Sequence, residues 1–336
     1  MKVYEIKAGA ATVDGLQAAQ RLDPQPAPRE VLIRLHAASL NYRDLMIITG
    51  RYFGGPVNRD VIPLSDGAGE VAAVGSGVTR FKRGDRVAAT FFQVWVDGIP
   101  TGRLNTLGAP LDGMLAEFIA VNEDGAVAIP PGLSFEEAAT LPCAGVTAWN
   151  ALMHAGKPVR PGDTVLTLGT GGVSMFALQF ARAAGARVIM TSSSDEKIER
   201  AVKLGASEGI NYKQTPEWEK EVHRLTGGLG VQHVVENGGA GTLARSMQCV
   251  GFGGKIALIG VLAGPGDTSP HPLMFKHASL HGIYVGSRAM FERMNEAIEV
   301  NHIKPVIDKV FSFDAAGDAY RLLESGNFMG KIVIRI

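Results

Sequence analysis

Three glycines carry the first chemical suggestion in this chain. Gly169, Gly171 and Gly172 stand in the run LGTGGVS, residues 168–174. The apolar residues Val165, Leu166 and Leu168 precede them, and Val173, Phe176, Ala177 and Phe180 follow at helical spacing. Glycine in such a turn lets the backbone bend tightly and approach an anion with no Cβ in the way. A helix that starts there offers unpaired N–H groups and the positive end of its dipole to a phosphate. The chemistry of a strand, this turn and a helix is the binding of a dinucleotide pyrophosphate. Ser174 replaces the third glycine of the usual fingerprint and is small enough to keep helix and strand close. An ordinary tight turn is the alternative reading.

A second group of residues bears on which dinucleotide. The apolar run from Arg187 to Met190 leads into Thr191, Ser192, Ser193 and Ser194, with no carboxylate before Asp195. A site for NAD usually places Asp or Glu here, to bind the ribose 2′-hydroxyl. Hydroxyls can hydrogen-bond a 2′-phosphate, and Lys197 can supply the positive charge. Ser192 to Ser194 also read as a turn and helix cap before DEK, and both readings can hold together. The expected cofactor is NADP, as NADPH. Thr147, in GVTAW, and the backbone at Gly260 and Val261 are expected to flank the nicotinamide.

The elements that position these residues follow from pattern. Strands are expected at 164–168, 187–191, 233–236, 255–260 and 282–286, alternating with helices at 172–184, 195–204, 216–226 and 240–250. That alternation predicts a doubly wound parallel sheet with helices on both faces, an α/β fold. Residues 1–122 instead read as short strands spaced by turns, a compact barrel-like domain. A helix is expected over 135–152. Helices at 289–300 and 314–325 and a strand at 331–336 do not extend the sheet pattern, and are expected to return to the first domain. The domains are therefore 1–122 with 288–336, and 123–287.

The whole chain has 336 residues, with 33 Lys plus Arg balanced by 33 Asp plus Glu. A zero net charge gives no electrostatic reason to bind nucleic acid or an anionic membrane. No apolar run reaches the length of a membrane span, and the N-terminus lacks the apolar core of a signal peptide. Two cysteines, Cys143 and Cys249, fit a reducing compartment. A cytoplasmic location is expected. The strand at 282–286 is last in the alternation and so should be a sheet edge, which predicts a homodimer paired along it.

Motifs along nearly the whole chain resemble the medium-chain dehydrogenase/reductase superfamily. They are SLNYRDLMIITGRY (39–52), PLSDGAGEVAAVGSGV (63–78), GDRV (84–87), LPCAGVTAWNAL (141–152), LGTGGVS (168–174), the LGA and NY pair (204–212), FGGKIALIG (252–260) and GKIVI (330–334). Within the superfamily the chain is similar to the zinc-free quinone oxidoreductase-like and zinc-type alcohol dehydrogenase-like branch. The resemblance implies a GroES-like, β-rich catalytic domain and a Rossmann domain, with the active site in the cleft between them. It also implies that Lys197 and Tyr212, fifteen residues apart, bind the 2′-phosphate. Tyr212 as merely the end of a strand is the alternative.

The departures from the family pattern shape the expected reaction. Zinc-dependent members place Cys, His and Cys where this chain has Asn41, Ser65 and Cys143, and the cysteines of the structural zinc lobe are missing. One thiol cannot hold a catalytic zinc, which takes three protein ligands. His277 and His281 are four apart but have no third ligand nearby, so no metal site is expected. Without a Lewis acid, the fitting substrate is an activated acceptor, a quinone or an α,β-unsaturated carbonyl, reduced by NADPH. The resemblance implies that Asn41 and Tyr52 line the cleft, with Tyr52 as the candidate proton donor, and a plain turn-capping role is the alternative for Asn41. Arg43 and Asp44 read as a structural ion pair fixing the loop. A retained alcohol dehydrogenase activity, and NADPH binding without turnover in a sensor or structural role, are the alternatives.

Overall fold

Val31, Ile33 and Leu35 are buried in a strand where Arg34 is exposed, the alternation of a sheet with one face on a core. That strand is β3 (Glu30–Leu40). Around it are β1 (Lys2–Ile6), β2 (Leu16–Gln20), β4 (Asp66–Val74), β5 (Arg86–Ala89), β6 (Phe118–Asn122), β7 (Ala126–Ala128), β14 (Ile307–Ser312) and β15 (Lys331–Arg335). The larger sheet runs β14-β15-β3-β4-β5-β7, with β6 also paired to β3, while β1 and β2 form a separate pair. The core under β3 gathers Leu45 and Ile48 from helix Tyr42–Ile48, Val71, Val87, Leu115, Tyr320 and Ile332. This computed structural model describes residues 1–336 except 53, 101, 103 and 261–267.

The chain divides into two compact units, Met1–Val146 with Gly286–Ile336, and Thr147–Val285. The closing strand returns to the first unit, as the tail pattern predicts: β15 pairs antiparallel with β3, Ile332 facing Leu40. Residues 123–146, which the sequence pattern groups with the second domain, pack with the first. There β7 pairs with β5, and Asn295 Nδ2 donates to Ala128 O at 2.9 Å. The helix expected over 135–152 is interrupted. It runs over Phe135–Ala138 and resumes at Leu141, with wide π-type turns over Leu141–Gly145 and Asn150–His154.

The second unit holds β8 (Thr164–Leu168), β9 (Arg187–Ser192), β10 (Glu208–Asn211), β11 (Val231–Glu236), β12 (Val250–Leu258) and β13 (Ser279–Gly282). They form one parallel sheet in the order β10-β9-β8-β11-β12-β13. Helices Gly172–Ala183, Asp195–Lys203, Trp218–Leu225 and Leu243–Cys249 lie between strands in the chain. Val188, Ile189 and Met190 are all buried, as expected of a parallel strand covered on both faces. The strand order reverses between β8 and β11, and open sheets of this kind bind ligands at the carboxyl ends of the strands beside such a reversal.

Two details of this sheet differ from expectation. β10 was not among the expected strands, because EGIN carries one apolar residue, Ile210. The last strand lies at Ser279–Gly282 instead of 282–286, although it does occupy the sheet edge. Tyr284 and Val285 are good strand formers, but Val285 has φ +55° and Asn150 Nδ2 donates to its carbonyl at 2.7 Å, so the chain has already turned away. Below the sheet, Lys255 is buried and its Nζ donates to Ala155 O at 2.7 Å and Leu152 O at 3.4 Å. Burial lowers its pKa to about 8. No helix among the described residues is long and apolar enough to cross a membrane.

Candidate functional site

The glycine turn sits where the strand order reverses. Gly169 has φ +77°, the left-handed region that glycine enters without strain. Open space lies where a Cβ on Gly169 or Gly171 would project, with no atom within 4 Å. Helix Gly172–Ala183 starts at Gly171 with no side-chain cap, so Gly172, Val173 and Ser174 begin it with N–H groups that have no intrahelical acceptor. An open cradle at an uncapped helix N-terminus fits a pyrophosphate.

Asn237, at the end of β11, holds this turn. Its Nδ2 donates to Ser174 Oγ at 2.9 Å and to Leu168 O at 3.2 Å, and Ser174 Oγ donates to Leu168 O at 2.7 Å. Asn237 therefore ties β11 across the reversal to both ends of the glycine turn. Next to it the Glu236 carboxylate is fully buried. It accepts from Gly238 N at 2.8 Å, Gly239 N at 3.0 Å and the hydroxyls of Thr242 and Ser246, which fixes the loop 237–242. Gly260 is required by the same loop, because a Cβ there would lie 1.5 Å from Asn237 O. Val261 lies outside the described residues. Thr147 is buried at the start of the second unit.

At the end of β9 the hydroxyl run forms a turn and cap. Ser192 is buried, and its Oγ accepts from Ser194 N at 3.3 Å. Ser194 caps helix Asp195–Lys203 by accepting from Lys197 N at 3.4 Å. Ser193 is half-buried beside them. Tyr212 N donates to Ser192 O at 3.0 Å, so Tyr212 stands at the same strand ends as Ser192, with its side chain exposed. The carboxylate of Asp195 accepts from Asn211 Nδ2 at 2.7 Å and Gln214 Nε2 at 2.6 Å.

The first unit contains a buried polar cluster around Asn41. Lys331 Nζ donates to Asn41 Oδ1 at 2.5 Å and Leu40 O at 2.6 Å, and lies 3.7 Å from Asp66 Oδ2. Asp66 also accepts from Ser65 Oγ at 2.7 Å and Cys143 N at 3.2 Å. Burial raises the Asp66 pKa, with Lys331 the largest opposing influence. Burial, then the Asp66 charge, pushes the Cys143 thiol well above the usual range, so it stays protonated. Asp44 Oδ2 accepts from Asn41 N at 2.8 Å, and burial raises its pKa to about 6. Tyr52 is half-buried against the core, and the Arg43 guanidinium carbon lies 5.1 Å from its ring centre.

Comparison with known proteins names the family. Residues 27–131 match the alcohol dehydrogenase GroES-like domain and residues 172–300 the zinc-binding dehydrogenase domain. The zinc-type alcohol dehydrogenase-like protein C1773.06c of Schizosaccharomyces pombe is 48% identical over 92% of this chain and 91% of its own length. The chain belongs to the medium-chain dehydrogenase/reductase superfamily. A quinone oxidoreductase of Pseudomonas aeruginosa is 32% identical over 92% of each chain. Among solved structures, an NAD-dependent alcohol dehydrogenase matches with a TM-score of 0.90 at 34% identity, over 100% of both chains. A mycobacterial protein complexed with NADPH matches at 0.84 and 27%, also over 100% of both. As a member of this superfamily the chain is an oxidoreductase, with a GroES-like unit and a Rossmann-like unit.

The name zinc-binding dehydrogenase raises the question of a metal. The residues at the ligand positions do not fit one. The Asn41 oxygen already accepts from Lys331, Ser65 donates to Asp66, and Cys143 is the one thiol among the three positions, where a catalytic zinc takes three protein ligands. A cation, Lys331, already faces Asp66 in this cluster. Among the described residues no three His, Cys, Asp or Glu side chains are grouped to hold a metal ion. Sequence reasoning passed over three residues here: Lys331, Asn237 and Asp66. A lysine heading the apolar strand KIVI is the signal for the first, and an asparagine before a glycine pair at a strand end is the signal for the second.

Proposed function

We propose that the protein is an NADPH-dependent reductase of quinones or α,β-unsaturated carbonyls that works without catalytic zinc. The observation that carries this reading is the cluster at Asn41, Ser65 and Cys143: the Asn41 amide oxygen accepts from Lys331, the Ser65 hydroxyl donates to Asp66, and only one of the three positions bears a thiol. A simple alcohol would need a Lewis acid or base to stabilise its alkoxide, and an activated acceptor does not.

When bound, NADPH supplies a hydride to the electron-poor carbon of the acceptor and leaves as NADP⁺. Gly169, Gly171, Gly172 and Val173 would hold the pyrophosphate, and Lys197, Ser192, Ser193 and Tyr212 the 2′-phosphate. Thr147 and the backbone at Gly260 would border the nicotinamide. With an enone, the hydride adds to the β carbon and negative charge collects on the carbonyl oxygen. The Tyr52 hydroxyl then gives its proton to the α carbon, and water reprotonates the phenolate. Asn41 orients the substrate carbonyl. A hydroquinone can take its protons from water, so Tyr52 matters less there.

NADPH oxidation in the presence of 1,2-naphthoquinone and of an enone tests the reading. Turnover with at least one of them, surviving EDTA and phenanthroline, is expected. Essential stoichiometric zinc with oxidation of simple primary alcohols would support alcohol dehydrogenation instead, a reading favoured by the 34% identity to an NAD-dependent alcohol dehydrogenase. NADPH binding with no turnover on any acceptor would point to a sensor or structural role.

A further inference from the structure

Arg43 is buried at 8% exposure in the first turn of helix Tyr42–Ile48, where a charged residue would ordinarily face water. Its guanidinium is fixed on several sides. Nη1 donates to Leu107 O at 3.1 Å, and Nη2 donates to Thr106 Oγ1 at 3.0 Å and Ala109 O at 3.3 Å. Asp44 Oδ1 lies 3.5 Å from Nη1. The guanidinium carbon lies 4.8 Å from the Phe91 ring centre and 5.1 Å from that of Tyr52. Burial alone would lower the pKa of Arg43, but Asp44, and after it Tyr52 through both charge and a hydrogen bond, raise it.

This is more than the ion pair with Asp44 that the sequence suggests. A planar fork with hydrogen bonds across three acceptors on 106–109 cannot swing away, and an aromatic face beside a desolvated cation is attracted to it. We propose that Arg43 is a positioning residue for Tyr52, holding its ring in place and setting a fixed positive charge beside the phenol oxygen. The proposal rests on the reading of Tyr52 as the proton donor to enones. In that step the Tyr52 O–H bond breaks and a C–H bond forms at the α carbon. The oxygen keeps the electron pair, next to the guanidinium, until water returns a proton. Both electrons of the reduction come from the NADPH hydride.

Steady-state NADPH oxidation with saturating enone and with saturating 1,2-naphthoquinone separates positioning from mere stability. Arg43→Met should lower the enone-to-quinone ratio of kcat at least tenfold. Placed on a Tyr52→Phe background it should lower that ratio no further, because the two residues act as a unit. Arg43→Lys keeps a charge but loses the fork, and should give an intermediate ratio. An unaltered ratio in Arg43→Met, together with a lowered ratio in Tyr52→Phe, overturns the inference and leaves Tyr52 as the donor. An unaltered ratio in Tyr52→Phe overturns the reading of Tyr52 and this inference with it. Should Arg43→Met fail to fold, Arg43→Lys decides the matter, and a wild-type ratio in that variant counts against the proposal.

Discussion

Lys331 Nζ donates a 2.5 Å hydrogen bond to Asn41 Oδ1 across a sequence separation of 290 residues. The same ammonium faces the fully buried Asp66 at 3.7 Å. A cation from the closing strand thus balances a carboxylate from β4 and orients the amide at the N-terminus of helix Tyr42–Ile48.

Lys331→Met should therefore destabilise the protein by about 3–5 kcal/mol, the usual result of leaving one buried charge without its partner. Urea unfolding near neutral pH measures it. The deficit should shrink on acidification, because a protonated Asp66 no longer needs a cation. A deficit under about 1 kcal/mol would mean that Asp66 is not charged in the fold.

From the hydroxyl run at the end of β9, with Asp195 engaged by Asn211 and Gln214, we expect a site that takes a 2′-phosphate. Fluorescence titration should give NADPH a Kd at least tenfold below that of NADH. Lys197→Ala should erase much of the difference, since a charge-assisted contact is worth about 1.5–3 kcal/mol. Equal dissociation constants in the wild type would refute the preference.

Lys255 gives a pH dependence of defined sign. Its pKa in the fold is lowered to about 8, from an ordinary value of 10.5. Below about pH 8 both folded and unfolded chains hold the proton, and the group's contribution is constant. Between the two values the unfolded chain binds more protons, so stability rises with pH. The urea midpoint of the wild type should climb relative to that of Lys255→Met from about pH 8 towards 10. A parallel course for the two proteins would assign Lys255 an ordinary pKa.

The edge strand β13 leads to the assembly we propose. Leu280 on it is exposed, as are Phe252, Met274 and Phe275. Gly253 N donates to Lys276 O at 2.8 Å, which brings Phe252 beside the other two. Exposed apolar edges are usually paired. Light scattering at micromolar concentration should return twice the 35.5 kDa chain mass, and Phe252→Asp with Leu280→Asp should reduce it to one. A monomeric wild type would remove the dimer.

The Rossmann-like unit was legible wherever local signals agreed. β8 begins and ends where expected, because an apolar run, a glycine turn and a 3.6-residue pattern mark the same boundaries. β13 was misplaced because SLHG is a poor strand by propensity and is made one by pairing with β12. The reverse holds for Tyr284 and Val285, whose side chains favour a strand the backbone does not form. At the candidate site, Gly169, Ser192 and Asn41 stood out by type and position. Arg43 is legible only as an ion pair with Asp44, because its burial depends on Phe91 and the loop 106–109, and no local pattern around residue 43 encodes them. Lys331 was hidden likewise, since its partners lie hundreds of residues away.

The insertion of β15 between β14 and β3 has a consequence for biosynthesis. Translation completes Thr147–Val285, a contiguous segment, long before Lys331–Arg335 leaves the ribosome. The Rossmann-like unit can fold while the chain is still growing. The first unit, although its β3 is made early and can pair with β4 and β6, must wait for Lys331–Arg335 before Ala37–Leu40 has its β15 partner. During that interval Asp66 also has no Lys331 to face. Ala37–Leu40 is thus the stretch of the nascent first unit where chaperones are expected to engage, since an unpaired strand edge is open to other chains until it is covered.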